Sequence, residues 1–489
     1  MDAPLLHDRL FARAADRPEA PFLVERGRTT SVAEMAGRVA ALARVLADLG
    51  VGRGDRVGIW LPRSREAAEA FLATTLRGAV ALLVHPAWTR DMAVRALRAA
   101  PVEVLLSTAR FARSLADRTD FAAPRSVVTP DGPPGLLWPE RPEHRGPPEG
   151  LARAEDTAAI LPVPGEEGGL LGAMLSHAGL VSGATGLARH IGLSAADRVL
   201  YFGSLASGCG LEHVAAALSA GSALVLETSP MMADILDAVA TKEATVLPGR
   251  PEVFRDLLSA LRHRSEPLPR LRAAVCAGAA LPPPLVSSFL ARLPGTALHL
   301  TYGLTEGQRV SAVPPERLPA AAGTLGVTLP GVEVLLVDGA GGVGEEGEIA
   351  VRGPQVFSGY LGDEAATKRR LRPLAGGGPA LLTGDFGRRE GGLLRLTGRR
   401  STPLRSGGER VDGEEVRRAL LSCDLVAAVS LAGGVEDDGL DCVRAAVTFR
   451  PGVPPDLPAV RAHLRRRLPP FMLPVLHVTH PGPGPEPPS

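Results

Sequence analysis

The sequence predicts an α/β protein. A large N-terminal domain over 1–398 holds two doubly wound subdomains plus a β subdomain, and a small α+β domain follows over 399–480. Three observations carry this expectation. Buried-strand runs alternate with amphipathic helices in two stretches, which is the signature of mostly parallel sheets covered on both faces. Between 325 and 395 the pattern changes to short strands and glycine turns. Beyond Arg399 a compact helix–strand–strand–helix–strand segment follows.

In order along the chain, Ser31 and Glu34 form a capping-box pattern ahead of apolar residues at helical spacing from Val32 to Leu49. Gly50 then suits a left-handed helix end. Strands are expected at 57–61, 81–84 and 102–106, with a helix over 66–76. The proline-rich stretch 129–149 excludes a helix or a central strand and reads as a surface crossing. A second α/β run covers about 155–320, with strands at 199–202 and 223–226. The segment "VEVLLVDGAGGVGEEGEIAVRG" reads as antiparallel strands. In the last domain, helices are expected at 414–421 and 459–468 and strands at 426–431 and 443–449. The tail over 481–489, with its many prolines and glycines, reads as disordered.

Composition excludes several classes. The chain has 489 residues, and 54 basic groups stand against 53 acidic ones. No basic excess calls for nucleic acid or an anionic membrane. No apolar run approaches the roughly 20 residues of a membrane span, and the acidic N-terminus is no signal peptide. A cytoplasmic location is expected. Cys209, Cys276, Cys423 and Cys442 are widely spaced and read as buried free thiols rather than a zinc site. Lysine is confined to Lys242 and Lys368, so chemistry that needs an amine has few candidates.

Several segments carry a resemblance. "LGVGRGDRVGIWLPRSREAAEAFLATTLRGAVALLVHPAWT", "MLSHAGLV", "CAGAALPPPL", "TYGLTEG", "GEIAVRGPQVFSGYLG", "TGDFGRRE" and "TGRRSTPLRSGGERVDGEEV" follow one another in order. Together they resemble the adenylate-forming superfamily of acyl-CoA synthetases, luciferases and nonribosomal peptide synthetase adenylation domains. The resemblance implies a biosynthetic ligase in which a carboxylate attacks the α-phosphorus of ATP. The resulting acyl-adenylate then passes its acyl group to a thiol or amine. Donors, Mg²⁺ and an ammonium stabilise the charge on the phosphates in such chemistry. The C-terminal domain would act as a rotating lid.

Carried onto this sequence, the resemblance implies that Tyr302 stacks on adenine and that Ala277, Gly278 and Ala279 present backbone to its edge. Thr305 is the phosphate-binding threonine and Glu306 the Mg²⁺ carboxylate. Asp385 accepts the ribose hydroxyls, which suits an acceptor-only carboxylate. Arg399 adds a contact to ribose or phosphate, and Gly408 and Arg410 match the lid loop. The implied cofactor is AMP or ATP with Mg²⁺. The implied partners are a small carboxylic acid or acyl group, and CoA or a carrier protein as acceptor.

The triphosphate half departs from the pattern. The family loop reads roughly T-S-G-T-T-G-x-P-K-G, and "VPGEEGGLLG" stands in its place at 163–172. The spaced glycines Gly165, Gly168 and Gly172 keep its outline. Pro164, Glu166 and Glu167 replace hydroxyl donors, and Leu171 replaces the lysine. Like charges about 5 Å apart cost roughly 3 kcal/mol at an effective dielectric near 20. Two carboxylates facing a triphosphate therefore weaken ATP binding strongly, unless they recruit a further Mg²⁺ or swing into solvent. The family's late catalytic lysine has no counterpart after Arg467, where His477 and His480 are weak stand-ins near pH 7. Ser401 takes the hinge position.

The segment "YFGSLASGCGLEHV" lies where amino-acid-activating relatives hold an aspartate for the substrate amine. Its residues are small and neutral, so a free amino acid is not the expected substrate. His213 reads as a helix residue rather than a base. Three functions stay open at this point: an acyl-activating ligase, an altered acyltransferase fed with pre-activated acyl groups, and a non-catalytic partner protein.

Overall fold

The structure is a computed structural model. It describes residues 5–132, 138–139, 149–165, 169–229, 231–241, 244–262, 268, 270–339, 341–374, 376–400, 404–406, 409–450 and 452–479. The proline-rich crossing lies mostly outside these residues, as do Glu166, Glu167, Gly168, Ser401, Gly408, His480 and the tail.

The chain divides into two compact units. The first comprises Met1–Pro86, Arg90–Val163 and Leu171–Arg400. The second gathers Ser401–Ser489 with Ala87–Thr89 and Pro164–Leu170.

Two large sheets and an antiparallel one build the first unit. One sheet runs, in spatial order, Gly359–Tyr360, Leu170–Ser176, Thr157–Pro164, Val80–Leu83, Arg56–Trp60, Val104–Ser107 and Ser126–Val128. Its centre is parallel: Val57 pairs with Ala81 on one side and Val104 on the other. These central strands are mostly apolar because helices cover both faces.

The second large sheet has nine strands. Its parallel middle is Ala297–Leu304, Ala273–Cys276, Val246–Gly249, Arg198–Tyr201 and Ala223–Leu226. Pro21–Glu25 joins it in parallel to Ala223–Leu226. The early hairpin therefore belongs to the later sheet, and Thr157–Ser176 belongs to the earlier one. The sequence divides the two α/β runs at about 155, but the strands cross that line. Apolar periodicity reports which strands are buried, not which sheet buries them.

Helix Val32–Asp48 begins as expected at Ser31, whose hydroxyl accepts from the Glu34 N–H at 3.2 Å. The Glu34 carboxylate completes no box. It takes Arg28 at 2.8 Å and Arg38 at 3.0 Å instead, since guanidinium donors are stronger partners than an amide. Gly50 has φ +73° and ends the helix in the left-handed conformation.

The antiparallel sheet pairs Glu333–Val337 with Glu346–Arg352, and Glu346–Arg352 with Pro379–Glu390. Leu393–Arg399 folds back on Pro379–Glu390, which sets Asp385 opposite Arg399.

The second unit packs helices Gly413–Leu421 and Leu457–Arg465 with a sheet of Val426–Val435, Asp441–Phe449 and Val475–Val478. Arg405–Ser406 and Glu409–Arg410 form a small hairpin.

Candidate functional site

The candidate residues of the first unit gather at carboxyl ends of strands in the nine-stranded sheet, where open α/β sheets bind ligands. Ala277–Gly278–Ala279 follow strand Ala273–Cys276. The Ala277 N–H donates to the Gly249 carbonyl at 3.0 Å, and Gly278 has φ +95°, which only glycine adopts without strain.

Tyr302 lies near the end of strand Ala297–Leu304. Thr305, Glu306 and Gly307 then form a three-residue turn into strand Gln308–Val313, not a helix start. Gln308 closes the turn at φ +47°, the left-handed residue such hairpins use. Its side-chain amide donates to the Gln355 carbonyl at 3.1 Å, so the surrounding structure holds the unusual conformation in place.

Three separated residues converge. The Tyr302 hydroxyl donates to Asp385 Oδ2 at 2.7 Å, and Arg399 Nε lies 3.0 Å from Asp385 Oδ1. Burial, with the Asp385 carboxylate beside it, pushes the Tyr302 phenol well above its ordinary pKa, so it remains a donor. Each carboxylate oxygen has two lone pairs. Asp385 therefore keeps acceptor capacity for two further hydroxyls while Tyr302 and Arg399 fix its orientation.

Glu306 is buried, and its Oε1 accepts from the Tyr360 hydroxyl at 2.8 Å. Its carbonyl accepts from the Phe357 N–H at 2.8 Å. The segment "FSGY" thus holds the turn, although the sequence reading assigned it no role. A signal was present: the chain has only three tyrosines, and two of them, Tyr302 and Tyr360, serve this site. Among the described residues, no group of three His, Cys, Asp or Glu side chains could hold a metal. A Mg²⁺ ion at Glu306 would therefore take most of its ligands from substrate phosphate and water, its usual habit.

The supposed phosphate loop is largely a β-hairpin. Val163 and Pro164 end strand Thr157–Pro164, and Leu170, Leu171 and Gly172 begin strand Leu170–Ser176. At the tip, the Gly165 N–H donates to the Gly169 carbonyl at 3.0 Å. Leu171 packs against the apolar core of the first unit. A Cβ on Gly172 would sit 2.9 Å from the Ile160 side chain, so close packing, not phosphate, requires that glycine.

In the second unit, Arg410 pairs with Arg405 across the small hairpin. His213 lies in helix Gly208–Ala220, buried, with Nδ1 2.6 Å from the Cys209 carbonyl. Burial and nearby Arg309 pull its pKa to about 4, so it is neutral. Three of the four cysteines are buried, whereas Cys209 is partly exposed because it sits in the first turn of that helix.

A cleft of about 480 Å³ lies elsewhere, lined by Arg53, Arg56, Val80, Asp156 and Thr157. It opens at the starts of strands Arg56–Trp60, Val80–Leu83 and Thr157–Pro164, the wrong strand ends for this site.

With this geometry in place, comparison with known proteins identifies the class. The model of the AMP-binding enzyme family matches residues 10–361, and the chain belongs to that family of adenylate-forming, acyl-activating enzymes. It is 31% identical over 475 residues to the isonitrile lipopeptide synthase of Streptomyces coeruleorubidus, covering 94% of this chain but 31% of that protein. It is 29% identical over 469 residues to the feruloyl-CoA synthase of an Amycolatopsis species, covering 94% of this chain and 92% of that one. Among solved structures, the amide bond synthetase McbA of Marinactinospora thermotolerans shares the fold. Its TM-score is 0.86 at 23% identity, over 97% of this chain and 95% of that one. Among the described residues, no helix is long and apolar enough to cross a membrane.

Proposed function

We propose that the chain binds an acyl group as its adenylate and passes it to a thiol or amine, while cleaving ATP itself poorly. The observation that carries this reading is the convergence of Tyr302, Asp385 and Arg399 within hydrogen-bonding distance, beside the Thr305–Glu306 turn. Tyr302 and the Ala277–Ala279 turn receive adenine, Asp385 receives ribose, and Thr305 and Arg399 reach the α-phosphate. Bound Mg²⁺ would neutralise phosphate charge next to Glu306. Relatives named as CoA and lipopeptide synthases and a fold neighbour named as an amide bond synthetase support CoA, a carrier protein or an amine as acceptor.

The hairpin supports weak ATP cleavage. Leu171 spends its side chain on the core, and Pro164 has no N–H to offer phosphate. Glu166 and Glu167, between Gly165 and Gly169 in the sequence, add negative charge. The same features favour a second reading, in which the acyl group arrives already activated. Calorimetry with AMP, beside ATP–pyrophosphate exchange over a panel of carboxylic acids, tests the proposal. AMP binding with slow exchange is expected. Fast exchange removes the ATP part of the proposal, and failure to bind AMP removes the nucleotide site.

A further inference from the structure

The helix that carries "GCGLEHV" starts against the candidate site. A Cβ on Gly208 would lie 3.2 Å from Thr305 Oγ1, so glycine there keeps the threonine clear. Next comes Cys209, partly exposed, and one turn deeper Glu212, which is buried. Arg309, four residues beyond Thr305 on strand Gln308–Val313, is also buried and reaches the same point.

The two form a forked pair. Arg309 Nε donates to Glu212 Oε1 at 3.3 Å, and Nη2 donates to Oε2. Nη1 donates to Thr301 Oγ1 at 3.1 Å, and Nη2 also lies 3.7 Å from Cys209 Sγ. Thr301 in turn donates to the Cys276 carbonyl at 2.8 Å, next to the Ala277 turn. Burial opposes the charge on Arg309, but Glu212 and Cys209 together more than offset it. Although burial pushes the Glu212 carboxyl up, the forked contact holds the two as an ion pair. The side chains of Glu212 and Arg309 are only 4% and 3% exposed, so the space they occupy is closed.

We propose that the Glu212–Arg309 pair is the floor of the acyl pocket and restricts it to short, uncharged acyl groups. The proposal rests on the acyl-adenylate reading above. Its steric half follows from position: beyond Thr305 an acyl chain meets Gly208 and Cys209, and then two long side chains locked to each other. Its electrostatic half follows from pairing. Glu212 already neutralises Arg309, so neither an ammonium nor a second carboxylate finds an unpaired counter-charge, and a buried unpaired charge is strongly disfavoured. Small residues at Gly208 and Cys209 do not by themselves make a large pocket, because the pair fills the volume they leave.

The test uses non-hydrolysable acyl-sulfamate analogues of the acyl-adenylate, titrated by calorimetry beside AMP. These report the pocket without requiring ATP cleavage. The wild-type chain should bind acetyl and propionyl analogues, and each further methylene should cost at least about tenfold in affinity. Aryl, succinyl and aminoacyl analogues should bind no better than AMP. Glu212→Leu with Arg309→Met keeps the volume and removes the charge, and it should keep the exclusion of long chains. Glu212→Ala with Arg309→Ala should admit them, with thermal melting confirming the fold. Should the alanine pair not fold, the wild-type series and the filled variant still decide. Equal wild-type affinity for acetyl and aryl analogues overturns the proposal, as does loss of exclusion in the filled variant. If AMP and every analogue fail to bind, the acyl-adenylate reading falls instead.

Discussion

Asp385 is the residue on which the nucleotide reading turns, because Tyr302 and Arg399 both spend a hydrogen bond on aiming it. Asp385→Asn keeps the shape but replaces an acceptor with a donor facing the ribose. Hydrogen bonds to charged groups contribute about 1.5–3 kcal/mol, so AMP affinity should fall roughly tenfold or more by calorimetry. An unchanged affinity would place ribose elsewhere. Tyr360→Phe removes the hydroxyl that donates to the buried Glu306 carboxylate. Stability should drop by about 1–3 kcal/mol, read as a lower melting temperature. Tyr302, Asp385 and Arg399 were legible in the sequence because each sits in a short motif with its own chemistry. Tyr360, Glu212 and Arg309 were not. Their partners are 54 and 97 residues away along the chain, and only the folded sheet brings them together. The hints were faint: a glutamate within "LEHVAAAL" and an arginine within "QRVSAV", each a charge in an apolar run.

At the scale of elements, the alternation of strands and helices was legible because burial on both faces writes a continuous apolar run. The segment 163–172 was read as a phosphate loop that keeps its outline and loses its donors, and the structure adds that both of its ends are strand. Its glycines look like a cradle in sequence, yet Gly172 packs on Ile160 and Leu171 packs against the core, both on strand Leu170–Ser176. Glu166 and Glu167, which carry the question of charge, lie between Gly165 and Gly169 in the sequence and outside the described residues. Converting Leu171→Lys with Glu166→Thr and Glu167→Thr removes two negative charges and restores an amine. If the hairpin tip meets the phosphates, ATP affinity should rise by at least about tenfold while AMP affinity stays level. Equal affinities before and after would mean that the tip does not meet phosphate.

The whole molecule carries its own pH signature. His177, His213 and His299 are buried in the first unit and held near a pKa of about 4. Burial is the main cause for each, joined by His7, Arg309 and His190 respectively. In the unfolded chain they titrate near about 6.5. Between those values the unfolded state binds more protons, so their contribution to stability is flat above about pH 6.5 and falls as pH drops from there to about 4. Melting temperatures at pH 7.5 and pH 5 should differ in that direction, and a higher value at pH 5 would contradict the burial of these rings. The family was legible from motif order across the chain, and the fold sets "CAGAALPPPL" and "TYGLTEG" at the ends of neighbouring parallel strands. The central claim is that this fold keeps its nucleotide site while its phosphate hairpin no longer supports efficient ATP cleavage. The most direct measurement is AMP binding by calorimetry on the same preparation used for ATP–pyrophosphate exchange with short carboxylic acids. The account predicts clear AMP binding with exchange near background, and exchange at the rate of an ordinary acyl-activating ligase would contradict it.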